Sequence, residues 1–153
     1  MAEKALVGII MGSKSDLPVM GACTEQLEEF GVPFEMVIAS AHRAPDRVHE
    51  WAAGARERGL KVIIAAAGKA AHLAGVVAAF TSLPIVGVPM KTSDLGGMDS
   101  LLSMVQMPSG VPVACVAIGG AKNAAIYATQ ILATTDSGYA RVIEDFKRNM
   151  AEG

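Results

Sequence analysis

The sequence has few aromatic residues, few cysteines and no excess of positive charge. Only 5% of its 153 residues are Phe, Trp or Tyr, and only two are cysteine. Two cysteines do not form a disulfide framework, so we expect a reducing, cytoplasmic location. A net charge of -2 provides no basic field of the kind that binds nucleic acid. We therefore expect no nucleic-acid partner.

Several sequence signatures are also missing. The apolar stretch near the N-terminus is interrupted by polar residues 13–16, so we expect no signal peptide, no membrane span and no membrane partner. No His, Cys or carboxylate residues have metal-ligand spacing. The phosphate-binding Walker motif, the dinucleotide fingerprint and the nucleophile elbow are absent. The sequence therefore predicts no metal and no nucleotide cofactor.

The residues that are present alternate between strand and helix patterns. Apolar residues make up 52% of the chain, which is enough to form a substantial core. Strands are predicted at 5–10, 33–39, 62–67, 84–88 and 111–118. Helices are predicted at 17–30, 45–58, 98–107, 122–132 and 137–150, with a further helix ending near residue 80. This alternation predicts a single α/β domain over 1–153, with a doubly wound parallel sheet in three α/β/α layers and a C-terminal helix at about 137–153.

Unusual loops follow four of the predicted strands, at residues 11–16, 39–45, 68–72 and 90–97. In doubly wound folds, ligands bind beyond the carboxyl ends of the strands. Ser13, Ser15 and Asp16 lie in the first of these loops, just before a helix. Such a turn presents N–H groups and hydroxyls to an anion, most often a phosphate. The alternative is that these side chains only cap the helix.

Two of the three histidines lie in these loops. His42 can carry a proton near neutral pH, and the neighbouring Arg43 can bind a phosphate or a carboxylate through two hydrogen bonds. Arg43 could instead pair with Asp46. His72 is a second candidate, although a hydrogen bond to a backbone carbonyl is the slightly favoured role for it. These residues predict acid–base chemistry on a small phosphorylated substrate.

Three segments together, residues 11–16, 40–46 and 99–108, resemble the bacterial N5-carboxyaminoimidazole ribonucleotide mutases of purine biosynthesis. The resemblance extends from about residue 5 to residue 133. It implies a flavodoxin-like fold, a homo-octamer and no cofactor. It also implies conversion of N5-carboxyaminoimidazole ribonucleotide to 4-carboxy-5-aminoimidazole ribonucleotide, with functional coupling to the ATP-dependent synthase that makes the substrate.

The resemblance also implies roles for individual residues. Ser13 and Arg43 would bind the ribotide phosphate with help from Ser40, and Asp16 would hold the ribose hydroxyls. His42 would be the proton carrier. In this family the carbamate is thought to lose carbon dioxide, which C4 of the aminoimidazole then captures. Ser15, Lys69 and His72 are further candidates for the site.

One loop departs from the family pattern. Mutases typically have glycines where this chain has Ala66 and Lys69, and a proline where it has Ala74. Related carboxylases that use carbon dioxide directly have a cation near the position of Lys69. Arg43 and residues 103–108 are nevertheless of the mutase kind. We expect Lys69 to point into or over the substrate crevice; the alternative is that its ammonium extends into solvent.

Two other functions remain as alternatives. One is a direct carbon-dioxide-dependent carboxylase. The other is a non-catalytic flavodoxin-like module that binds a phosphate-bearing ligand, such as a flavin. For the octamer, the alanine-rich segments 65–71 and 121–133 are predicted to pack closely between subunits.

Overall fold

The computed structural model describes residues 3–153. The strands are β1 Val7–Met11, β2 Phe34–Ile38, β3 Val62–Ala67, β4 Ile85–Pro89 and β5 Ala114–Cys115. The helices are α1 Leu17–Glu29, α2 Pro45–Ala53, α3 Leu73–Phe80, α4 Met98–Val105, α5 Ala121–Ala133 and α6 Ser137–Glu152. A short 3-10 helix, Lys14–Asp16, precedes α1.

The five strands form one parallel sheet in the order β2-β1-β3-β4-β5. The chain runs from β1 to β2 at one edge, then returns past β1 to β3, β4 and β5. This order confirms the predicted doubly wound, flavodoxin-like sheet. The order reverses between β1 and β3, and a crevice forms at the carboxyl ends of strands at such a point.

The apolar core lies in two layers, one on each face of the sheet. Alternate residues of β3 belong to opposite layers, because successive side chains of a strand point to opposite faces. One layer packs against α1, α5 and α6, and the other against α2, α3 and α4. β1, β3 and β4 are buried throughout, as expected for central parallel strands.

The structure corrects the extent of several elements. β5 is only two residues long instead of the predicted 111–118, although Val113, Cys115 and Val116 still pack on the core. An apolar run at the edge of a sheet can thus pack on the core without forming regular hydrogen bonds to the neighbouring strand. α2 ends at Ala53, five residues before its predicted end, because Gly54 forms its C-cap. The ends of α1 and α4 differ from the prediction by one and two residues.

The alanine-rich segments are largely buried within the chain. In segment 65–71, Ala65, Ala66, Ala67 and Ala71 are buried in the core of the chain. In α5, Ala121, Ala124, Ala125 and Ala128 are buried there too. Most alanines of both segments therefore pack in the core of their own chain, where their small side chains allow α5 and the sheet to approach closely. Contact of these segments with other subunits stays a prediction. Within residues 3–153, no helix has the length and apolar character needed to cross a membrane.

Candidate active site

A cavity of about 450 Å³ opens at the carboxyl ends of the strands, where the strand order reverses. Its wall is built from the loops that follow β1, β2, β3 and β4. All eight residues singled out in the sequence line it: Ser13, Ser15, Asp16, Ser40, His42, Arg43, Lys69 and His72. The sequence therefore located the crevice correctly, because each strand delivers its loop to the same edge of the sheet.

The loop after β1 combines the two interpretations that its sequence allowed. Ser13 caps the 3-10 helix, and its Oγ accepts hydrogen bonds from the Ser15 N–H at 3.2 Å and the Ser15 hydroxyl at 2.9 Å. Both serines nevertheless face the cavity. The Ser13 hydroxyl keeps its own hydrogen for donation, so capping does not prevent contact with an anion.

Asp16 is only 8% exposed at the end of the 3-10 helix. Burial raises the pKa of its carboxyl group, although a backbone hydrogen bond with Ser13 acts in the opposite direction. As an N-cap of α1, Asp16 makes no side-chain capping hydrogen bond. A poorly solvated carboxylate that faces a cavity is well suited to accept hydrogen bonds from ligand hydroxyl groups.

The loop after β2 is fixed by Ser40. Its Oγ accepts hydrogen bonds from the N–H groups of His42, at 3.3 Å, and Arg43, at 3.2 Å. This short-range turn holds the two residues side by side at the cavity wall. Among residues 3–153, no ion pair involves Arg43, so the predicted alternative of pairing with Asp46 is not observed. The guanidinium group is exposed and available to an anion.

The two histidines of the cavity are in direct contact. Nε2 of His42 and Nδ1 of His72 are 2.9 Å apart, and the ring centroids are separated by 5.0 Å. The favoured prediction, a backbone carbonyl as the partner of His72, is therefore wrong. One imidazole nitrogen must donate to the other, so the tautomers of the two rings are linked. His49 lies on the exposed surface of α2, against the ring of Phe80.

Lys69 lines the cavity, but its ammonium group pairs with a residue outside the lining. Nζ donates to Asp94 Oδ2 at 2.8 Å, and both side chains are largely exposed. This hydrogen bond raises the pKa of Lys69 and lowers that of Asp94. The backbone is unusual too, because φ at Lys69 is +59°. That left-handed conformation suits the glycine that the mutases typically have there.

Sequence reasoning missed three residues of the cavity wall, Lys91, Thr92 and Ser93. They follow β4 in a loop that the sequence had singled out only as a whole. With Lys91 included, the lining carries three cationic side chains and a single carboxylate, that of Asp16. This charge balance and the hydroxyl groups favour an anionic, polyhydroxylated ligand.

Neither cysteine is suited to nucleophilic chemistry. Burial raises the pKa of the Cys23 thiol to about 12 and also raises the pKa of Cys115. Cys23 is buried and Cys115 is half-buried. Within residues 3–153, no group of three or more His, Cys, Asp or Glu residues could hold a metal ion.

Comparison with known proteins gives consistent matches across nearly the whole chain. The family model described as AIR carboxylase matches residues 6–153. The N5-carboxyaminoimidazole ribonucleotide mutase of Pyrococcus horikoshii is 58% identical over 151 residues, which cover 99% of this chain and 84% of the relative. The phosphoribosylaminoimidazole carboxylase of Saccharomyces cerevisiae is 59% identical over 143 residues, covering 94% of this chain but 25% of the longer relative.

The fold comparison agrees with the sequence matches. The crystal structure of PurE from Treponema denticola superposes with a TM-score of 0.87 at 29% sequence identity, covering 97% of this chain and 92% of that one. Because the family model spans residues 6–153, the chain belongs to the AIR carboxylase family.

Proposed function

We propose that this chain is an N5-carboxyaminoimidazole ribonucleotide mutase, an isomerase of purine biosynthesis. It moves a carboxylate from the exocyclic nitrogen of its substrate to C4 of the ring, which gives 4-carboxy-5-aminoimidazole ribonucleotide. The observation that carries the proposal is the similarity to relatives named for this activity over 99% of the chain. The cavity supports it, since anion-binding and acid–base groups line the same wall.

Binding of the ribotide is assigned to the loops after β1 and β2. The phosphate is held by the Ser13 hydroxyl and the Arg43 guanidinium, with Ser40 completing the subsite. A guanidinium group forms strong, charge-assisted hydrogen bonds to phosphate. Asp16 accepts hydrogen bonds from the ribose hydroxyls. Ser15 lies beside Ser13 and supports its orientation through their 2.9 Å hydrogen bond.

The proton transfers are assigned to His42. As the nitrogen–carbon bond of the carbamate breaks, the exocyclic nitrogen takes a proton; as the new bond forms at C4, that carbon loses one. His42 gives the first proton and takes the second, so it ends in its starting state. His72 holds the ring of His42 in place, because their nitrogens are 2.9 Å apart. No metal or cofactor is required for this exchange.

We also propose where the substrate comes from, where the enzyme is located and how it assembles. We expect the labile carbamate to come from the ATP-dependent synthase, to which this enzyme is functionally coupled. A cytoplasmic location is supported by the two free thiols, Cys23 and Cys115. A homo-octamer is supported by the apolar side chains exposed on and beside α4, namely Leu95, Met98, Leu102 and Val105.

A direct carbon-dioxide-dependent carboxylase is the second candidate. It is favoured by the yeast relative named as a carboxylase and by the cation at position 69. Against it, the Lys69 ammonium pairs with Asp94. A non-catalytic phosphate-binding module, such as a flavin carrier, would lack turnover altogether, and purified protein with bound flavin would be yellow.

An assay with two substrates separates these candidates. The enzyme is given the N5-carbamate at low bicarbonate and, separately, free aminoimidazole ribotide at high bicarbonate, in both cases without ATP or metal. We expect rapid formation of the 4-carboxy product from the carbamate. Turnover only in the second mixture would identify a direct carboxylase, and no turnover in either would leave the binding module.

A further inference from the structure

The backbone at residues 68–72 carries a feature that the proposed function does not use. Within residues 3–153, Lys69 is the one non-glycine residue with a positive φ. L side chains rarely adopt this conformation, so surrounding contacts must hold it. Gly68 just before it has no such restriction, since a Cβ there would make ordinary van der Waals contact with Met90 Cβ, at 3.4 Å.

Ser100 in α4 is the contact that fixes this segment. Its side chain is completely buried, and its Oγ accepts a hydrogen bond from the Lys69 N–H at 2.9 Å. Ser103, one turn further along α4, lies 3.4 Å from the Lys69 carbonyl oxygen but bonds more closely to Asp99 O, at 2.7 Å. Ser100 is therefore the principal anchor.

A series of hydrogen bonds leads from Ser100 to the proton carrier. The Lys69 carbonyl accepts from the Ala71 N–H, and the Ala70 carbonyl accepts from the His72 N–H, both at 2.8 Å. The His72 ring then contacts Nε2 of His42 at 2.9 Å. Each bond restricts the next residue, so the position of the His72 ring depends on how Lys69 is held.

We propose that Ser100 is a positioning residue for the acid–base pair, acting through the strained backbone of Lys69 and through His72 on His42. The inference rests on the proposed function for its kinetic consequences. It assigns no contact between Ser100 and substrate. Ser13, Ser40 and Arg43, which are assigned to the phosphate, form none of the hydrogen bonds in this series, so loss of Ser100 affects turnover more than substrate affinity.

The first test replaces the hydroxyl of Ser100. We expect Ser100→Ala to lower kcat about tenfold or more with little change in KM, because displacement by less than an ångström is costly for proton transfer. Ser100→Cys, which keeps a side chain of similar shape but is a poor acceptor, is expected to behave in the same way. Thr129→Val is the matched control, since it removes another fully buried hydroxyl, bonded to Ala125 O within α5.

The second test asks whether the strained backbone carries the effect. Lys69→Gly removes the strain and is expected to restore most of the activity of Ser100→Ala. Lys69→Ala loses the same ammonium group and ion pair but keeps a Cβ, so it is expected not to restore activity. Equal rescue by Gly and Ala, or equal kcat losses in Ser100→Ala and Thr129→Val, would overturn the proposal.

A spectroscopic readout keeps this inference independent of the assigned reaction. Ring-nitrogen NMR signals are recorded for the three histidines in the parent and in Ser100→Ala. We expect the His42 and His72 signals to move while those of His49, on the surface of α2, stay fixed. Unchanged His42 and His72 signals would contradict the inference. A parent enzyme without mutase turnover would instead contradict the proposed function, whatever the NMR result.

Discussion

At the scale of single residues, the main feature is the direct contact between the rings of His42 and His72. One of the two nitrogens, His42 Nε2 or His72 Nδ1, must donate and the other must accept, so the tautomer of one ring sets that of the other. The sequence identified both histidines from their loops. It could not predict their contact, because the two residues are 30 positions apart and meet only when β1, β2 and β3 assemble.

Replacement of these histidines gives the first prediction. His42→Asn is expected to keep substrate binding and to lower kcat by about 10²–10⁴-fold, the usual effect of removing a general acid–base group. His72→Asn is expected to cost less, since His42 remains. His49→Asn is the control, because this ring packs on Phe80 away from the cavity. Steady-state kinetics of the three variants test this prediction. A larger loss of kcat in His72→Asn than in His42→Asn would make His72 the proton carrier instead.

Asp16 gives a prediction about stability. The pKa of its carboxyl group is higher in the folded state than in the unfolded state. In the pH window between these two pKa values, the folded protein therefore retains the proton more strongly than the unfolded chain does. Stability therefore falls across the window and stays lower at neutral pH, where the buried carboxylate is charged. Asp16→Asn is expected to raise Tm at pH 7, with the gain shrinking as pH falls through the folded pKa towards the unfolded one.

The same substitution is expected to weaken ribotide binding, since the amide is a poorer acceptor than a carboxylate for ribose hydroxyls. Asp145→Asn is the matched control, because Asp145 is exposed and pairs only with Arg148 at the surface. This control is expected to change the free energy of unfolding by no more than about 0.5 kcal/mol. Thermal melts at several pH values test the prediction, and a lower Tm for Asp16→Asn at pH 7 would contradict it.

At the scale of elements, the proposed phosphate subsite is built from two short turns, the loops after β1 and β2. Arg43→Ala is expected to raise KM more than Ser13→Ala, because a charge-assisted contact is roughly twice as strong as a neutral one. Inorganic phosphate is expected to compete with substrate in the parent enzyme and more weakly in Arg43→Ala. Unchanged KM in both variants, with no competition by phosphate, would place the anion elsewhere.

Elements whose own residues carry both an apolar pattern and a residue that marks one end were predicted well. β3 is a wholly apolar run closed by glycine, and α6 has a clear amphipathic pattern that starts at the Asp136 cap. β5 was overpredicted because its apolar residues serve packing at an edge of the sheet, where only Ala114 and Cys115 pair with β4. The anchor formed by Ser100 had no local signal, since its partner Lys69 lies 31 positions away.

At the scale of the whole molecule, alternating strands and helices were sufficient to predict the layers and the crevice. Assembly was harder to predict, because small side chains allow close packing equally well within a chain and between chains. The alanines of α5 pack in the core of the chain, against one face of the sheet. The exposed apolar residues of α4 and the preceding loop became visible only when burial was known.

These exposed residues give a prediction about assembly. Light scattering at micromolar concentration is expected to report an octamer for the parent. Leu102→Glu is expected to shift it to smaller species, because a buried unpaired charge is costly at an interface. Met36→Glu, at an exposed position of β2 outside this surface, is expected to leave assembly intact. A monomeric parent would contradict the proposed octamer.

The central claim is that a carboxylate passes from nitrogen to carbon inside one cavity. Substrate labelled with ¹³C in the carbamate carboxylate is mixed with excess enzyme in unlabelled bicarbonate, and the product is analysed by mass spectrometry after a single turnover. Transfer within the site predicts that the 4-carboxy product retains the label. Product with the isotope composition of the surrounding bicarbonate would contradict the account.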